Sequence, residues 1–119
     1  MDASKIDAVL KQLTNSVPQI QLSIIVTPDG LLLAFDGNVE DAENVGGLCI
    51  ELELICKKIM IELDGGDLKE MFVRTNTSSI TILPIGDKGI LACLTTTDIN
   101  SRMMMHITWR TVNELKKIM

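Results

Sequence analysis

One segment, Glu40 to Leu63, limits the folds open to this chain more than any other, because it is apolar on two opposite sides. At about 100° per residue, Ala42, Val45, Cys49, Leu52, Cys56, Ile59 and Leu63 fall on one stripe of a helix. Ile50, Leu54 and Ile61, with Gly47 beside them, fall on a second stripe roughly opposite the first. Charges separate the two: Glu40, Glu51, Lys58 and Glu62 on one flank, Glu53 and Lys57 on the other. One apolar face suffices to dock a helix on its own domain. A second face requires a second cover, which points to a protein that works by binding proteins.

The rest of the chain supplies the layers around this helix. Asp2 or Ser4 caps a first helix, in which Ile6, Val9, Leu10 and Leu13 have i, i+3, i+4, i+7 spacing, and Asn15, Ser16 and Pro18 end it. Residues 20–27 alternate, with Ile20, Leu22, Ile24 and Val26 on one side and Gln21, Ser23 and Thr27 on the other, as in a strand. Pro28-Asp29-Gly30 is a turn, since Pro presets φ and Gly takes the left-handed position, and residues 31–35 form the return strand. Asp36-Gly37-Asn38 breaks the chain, with Asn38 the expected N-cap of the long helix. Gly46 and Gly47 each cost that helix up to ~1 kcal/mol relative to Ala, a cost that fits another backbone passing close by.

Asp64-Gly65-Gly66 stops the helix, and three strands follow, 69–75, 79–85 and 90–95. Thr97 or Asp98 caps a last helix running to about Lys117. Its expected inner face is Met103, Met104, Ile107, Thr111, Leu115 and Ile118, and a side stripe of Met105, Trp109 and Val112 is expected to meet the first helix. The order is α-β-β-α-β-β-β-α. Short turns join the strands, so pairing is antiparallel, and continuous apolar strands require helices on both faces. The expected architecture is a three-layer α/β/α sandwich in one domain spanning residues 1–119.

Composition narrows the function. The chain is 46 % hydrophobic with a net charge of −5, and its 11 Lys and Arg are spread along it. That argues for a folded chain, against nucleic acid as a partner and against an anionic membrane surface. No run of 18 apolar residues occurs, so no membrane insertion is expected. The start lacks a signal-peptide pattern and Lys-Lys-Ile-Met is not a prenylation box, so the expected location is the cytoplasm. Cys49, Cys56 and Cys93 stand in apolar surroundings and read as small buried hydrophobes.

No catalytic constellation is visible. His106, the only histidine, falls on the outer face of the last helix beside Arg102 and Arg110. One His without a Cys pair at ligand spacing gives no expected metal site, and no cofactor is expected. The carboxylates Asp64 and Asp67 flank a helix stop. Gly86-Asp87-Lys88-Gly89 lacks the phosphate-loop spacing and precedes no helix, so it is a hairpin turn. Ser78-Ser79 is not a nucleophile elbow. The chain is not expected to be an enzyme.

Three passages in this order of elements resemble the roadblock / dynein-light-chain family. They are Thr-Pro-Asp-Gly-Leu-Leu-Leu-Ala at 27–34, Asp-Ala-Glu-Asn-Val-Gly-Gly-Leu at 41–48, and Leu-Pro-Ile-Gly-Asp-Lys-Gly-Ile-Leu-Ala-Cys-Leu at 83–94 before a Met-rich helix. The resemblance implies a profilin-like fold: a five-stranded antiparallel sheet of order 2-1-5-4-3, with the terminal helices on one face and the long helix on the other. It also implies a homodimer closed by edge-to-edge pairing of the third strand and by the long helices side by side. The implied partner is a Ras-like small GTPase, whose own active site the dimer reshapes without donating an arginine finger. A structural scaffold or motor-associated light-chain subunit, with no effect on nucleotide hydrolysis, is the alternative.

These expectations assign residues to surfaces. Dimerisation falls to Leu48 and Ile55 on the flank of the long helix and to Met71, Phe72 and Val73 on the apolar edge strand. Partner binding falls to the outer strip of Gly47, Ile50, Leu54 and Ile61 with Lys57 and Lys58 beside it. The same strip also fits a helix–helix dimer seam. Val45, Cys49, Leu52, Cys56 and Ile59 are expected to be buried on the sheet.

Overall fold

A computed structural model describes residues 2–38 and 40–119. The elements are α1 (Ala3–Ser16), β1 (Ile20–Val26), β2 (Leu32–Gly37), α2 (Ala42–Glu62), β3 (Met71–Arg74), β4 (Ser78–Pro84), β5 (Ile90–Thr96) and α3 (Ser101–Ile118). The strands form one sheet in the order β2-β1-β5-β4-β3, and every pairing is antiparallel. The helices lie on both faces. Ile6, Leu10 and Leu13 of α1 and Met104, Val112 and Leu115 of α3 share one core with Ile25, Leu83, Leu91 and Cys93 of the sheet. Cys49 and Ile50 of α2 share the other with Leu22, Ile24, Val26, Ile82 and Ala92. Among the described residues no helix is long and apolar enough to cross a membrane.

Local chemistry sets most boundaries. Asp2 caps α1, its carboxylate accepting from the Ser4 and Lys5 amides at 3.0 and 3.4 Å. The first hairpin closes where Gly30 N–H donates to Thr27 O at 2.9 Å, and the last where Lys88 N–H donates to Ile85 O at 2.9 Å, so residues 86–89 are a turn. Gly37 and Gly89 press on the backbone of β1. A Cβ on Gly37 would lie 2.3 Å from Gln21 O, and one on Gly89 2.0 Å from Val26 O, and both have a φ that disfavours side chains. The three cysteines are free, and burial pushes the Cys93 thiol up to about 12, as suits an inert core residue.

Several boundaries and faces differ from expectation. β2 runs on to Gly37, because Asp36 and Gly37 pair with Ser23 and Leu22 and the Asp36 carboxylate accepts from Thr14 Oγ1 at 2.6 Å. That uses up the break, so Asn38 is not the cap. α2 starts at Ala42 after Asp41, which makes no side-chain capping bond. Asp98 is engaged by the Thr96 hydroxyl, and Asn100 caps α3 instead, accepting from Met103 N–H at 3.0 Å. The register of β1 against β5 shifts between Ile20 and Leu22, which turns Ile20 into the α1–α3 core. β3 is only Met71–Arg74, at the sheet edge. Met103 and Met105 are exposed; of the side stripe, Val112 joins the core shared with α1, whereas Trp109 faces the β3 side, where its indole N–H donates to Glu70 at 3.1 Å.

The main correction concerns α2. Its buried residues are Ala42, Gly46, Cys49, Ile50 and Glu53, while Leu52, Ile59 and Leu63 are exposed. Gly46 shows why. A Cβ there would lie 3.0 Å from Val26 Cγ2, so the helix approaches the sheet along its smallest residues, and what passes close to Gly46 is a side chain, not a backbone. The larger residues of the expected inner stripe are thereby rotated outward.

Two outcomes test this packing. Ile50 is 5 % exposed, so Ile50→Ala should cost ~2–5 kcal/mol in chemical denaturation. Ile61, 77 % exposed, should tolerate Ala within about 0.5 kcal/mol. Glu53 is 5 % exposed, and burial raises its carboxyl above the usual range against the opposing pull of Lys57, 3.6 Å away. A carboxyl raised in the folded state destabilises that state once it ionises. The Glu53→Gln variant should therefore be more stable than the parent at pH 7, and the gap in denaturation midpoint should narrow as the pH falls through the raised folded-state range and be closed below the ordinary Glu value of 4.5.

Candidate interaction surface

The packing of α2 leaves large apolar side chains exposed among the described residues. Leu48, Leu52, Ile55 and Ile59 follow one another at spacings of four, three and four residues. Each is exposed, from 37 % at Leu52 to 55 % at Leu48 and Ile55. The buried set Ala42, Gly46, Cys49 and Glu53 has the same four-three-four spacing, offset by six residues, so the two seams lie roughly 120° apart around the helix. One seam is small and seats α2 on its own sheet. The other is large, aliphatic and open, in the pattern by which helices pack side by side.

Of the residues expected to dimerise, Leu48 and Ile55 lie on this open seam. Met71 is half-buried against the α2-side core, while Phe72 and Val73 are exposed. Register places Met71 and Val73 opposite Ile82 and Ile80, both on the α2 side of the sheet, and turns Phe72 to the other side. Among the described residues β3 pairs only with β4, and its outer backbone edge has no partner strand.

Of the residues expected to dock a partner, Leu54 and Ile61 are exposed two helical turns apart, Gly47 and Lys57 are half-buried, and Lys58 is exposed. Ile50 does not belong with them. It sits beneath the helix in the core with Ile24 and Ile82, because the whole helix is rotated towards it. Leu52 and Ile59 were missed as surface residues. The signal for them was the size pattern Ala42, Gly46, Cys49, which marks the line of closest approach independently of hydrophobicity.

The surface carries no reactive group set. Among the described residues no cluster of three His, Cys, Asp or Glu is placed to hold a metal ion. His106 is exposed in a shallow hollow with Arg102, Met105 and Trp109. The one ion pair among the described residues, Lys57–Glu53, joins one turn of α2 to the next and belongs to its packing. What the arrangement offers is apolar area and an unpaired strand edge, which are the elements of protein association.

Comparison with solved structures gives the same fold. A roadblock/LC7 domain from Streptomyces avermitilis superposes with a TM-score of 0.88 at 20 % identity, over 94 % of this chain and 95 % of that one. MglB from Myxococcus xanthus gives 0.91 at 17 % identity, over 98 % and 89 %. Profilin IA from Acanthamoeba castellanii gives 0.69 at 11 % identity, over 93 % and 96 %, so the fold is profilin-like. No curated protein sequence matches the chain. The Roadblock/LC7 domain model matches residues 6–95, and with the architecture described above this places the chain in the Roadblock/LC7 family.

Proposed function

We propose that this chain is a dimeric protein-binding module that regulates a Ras-like small GTPase, with activation of GTP hydrolysis as the form of regulation to test first. The observation that carries the reading is the open seam of Leu48, Leu52, Ile55 and Ile59 on a helix that a different, smaller seam already seats on its own sheet. Four large aliphatic side chains in one line are costly to leave in water, each contributing ~1.5–3 kcal/mol when buried. A second α2 covers them by the same pattern, and the free edges of two β3 strands extend one sheet into the other. The two contacts together make an isologous interface.

The GTPase comes from the family resemblance, and the structural likeness to MglB supports it. The dimer would act by binding the GTP-loaded conformer better than the GDP-loaded one, and so hold the switch segments in the arrangement that hydrolyses GTP. No residue of this chain need touch the phosphates. On this reading Leu54 and Ile61, outside the seam, are left for the partner, with Lys57 and Lys58 beside them.

Sedimentation equilibrium should give the dimer mass at micromolar concentration, and the monomer mass throughout would end the dimer reading. Ile55→Asp should shift the protein to monomer. Val73→Pro, which removes a ladder donor from β3 towards β4, should weaken the dimer or prevent folding. Leu54→Asp should leave the dimer intact and abolish binding to a small GTPase recovered with the parent protein. If Leu54→Asp dissociates the dimer instead, the outer strip is part of the seam. If the recovered GTPase hydrolyses and exchanges nucleotide at the same rates with and without the dimer, the chain is a scaffold.

A further inference from the structure

A cleft of about 450 Å³ opens where the end of α2, the connection at 63–70 and the second half of α3 meet around the end of β4. Leu83, Pro84 and Val112 form its floor, and Leu83 and Val112 belong to the α1–α3 core, so the floor is fixed. Ile61, Leu68 and Trp109 wall it. The indole N–H of Trp109 is already taken by Glu70, which leaves the ring for an occupant. The volume and the mixed lining suit a ligand that buries an apolar group and carries polar ones at the rim.

The charge of the cleft runs against that of the chain. The protein has 16 acidic and 11 basic residues, yet the lining holds three lysines, Lys57, Lys69 and Lys116, against Asp67 alone. The three come from α2, the connection and α3. Lys57 is 3.6 Å from Glu53, and among the described residues Lys69 and Lys116 are in no ion pair. α3 contributes its C-terminal half, whose carbonyl end is the negative pole of the helix, and no helix N-terminus lines the cleft. That arrangement is poor for a compact, multiply charged phosphate. It fits separate carboxylates, each meeting a flexible ammonium at its own place along an extended chain.

We propose that this cleft binds an acidic peptide segment of another protein, which seats one large apolar side chain on the floor of Leu83, Pro84 and Val112 and sets its carboxylates on Lys57, Lys69 and Lys116. The cleft shares Ile61 and Lys57 with the strip left for the GTPase, but the proposal requires neither dimerisation nor a GTPase.

Trp109 is the only tryptophan and the chain has no tyrosine, so its fluorescence reports the cleft directly. The full chain is titrated with the acetylated, amidated peptide Asp-Glu-Leu-Glu-Asp at low ionic strength. The expected result is a saturable change in emission that weakens as salt is added. Reversing two of the contacts, Lys69→Glu with Lys116→Glu, should weaken binding about tenfold or more. Lys5→Glu, on α1, should leave it unchanged, and circular dichroism checks that each variant is folded. If the double variant fails to fold, Lys116→Gln alone should weaken binding measurably. The proposal is overturned by the absence of saturation at millimolar peptide. It is overturned equally by the same response to Lys-Lys-Leu-Lys-Lys, by inorganic phosphate saturating the signal at the peptide's concentration, or by lysine variants that bind as the parent does.

Discussion

The approach of α2 to β1 at Gly46 governs much else in this molecule. With no side chain there, the helix lies close enough that an added Cβ would meet Val26 Cγ2 at 3.0 Å. Ala42 and Cys49 extend the same line, so the helix settles along its narrowest face. That choice drives Ile50 into the core and carries Glu53 under the helix, where desolvation raises its carboxyl and only Lys57 opposes it. It also decides what remains outside. Leu48, Leu52, Ile55 and Ile59 cannot reach the sheet once the small seam has claimed it. Docking within the chain and display towards a partner are two results of one rotation.

The sheet presents the complementary problem. Its centre is covered on both faces, and Ile25, Leu91 and Cys93 on one side and Val26 and Ile90 on the other are fully enclosed. Its edges are β2 and β3. β2 is tied to α1 through the Thr14–Asp36 hydrogen bond. β3 is short and carries Phe72 and Val73 in the open. Short length limits the exposure of an unpaired edge, but these side chains add apolar surface to it. The proposed dimer answers both exposures, the α2 seam and the β3 edge, with a single symmetric contact.

Much of this fold was legible in the sequence because its punctuation is local. Pro28-Asp29-Gly30, Asp64-Gly65-Gly66 and Gly86-Asp87-Lys88-Gly89 mark turns by backbone chemistry that needs no tertiary context, and they set the element order and the antiparallel connections. The rotation of α2 was not legible from periodicity alone, since Val45, Cys49 and Leu52 make as good an apolar stripe as the one observed. Side-chain size separated the alternatives, and hydrophobicity did not. Ile50 and Leu54 share a stripe, yet one is buried and the other exposed, because the sheet covers only part of the helix. The Trp109–Glu70 bond spans 39 residues and left no local trace, so Trp109 was directed to the wrong neighbour, while Val112 of the same stripe does join the core shared with α1. The cap expected at Thr97 or Asp98 moved to Asn100 through a local contact instead, the engagement of Asp98 by the Thr96 hydroxyl two residues before it.

Exchange of the backbone amides of Met71–Arg74 tests the proposed assembly most directly, because these amides report the β3 edge itself. Hydrogen exchange is followed across a dilution series of the full chain, with mass measured in parallel. The account predicts that the outward-facing amides of β3 are protected at high concentration. They should lose that protection on dilution in step with the fall in mass, while the β1 and β5 amides stay protected throughout. Rapid exchange along the β3 edge at every concentration, from a protein of monomer mass, would contradict it.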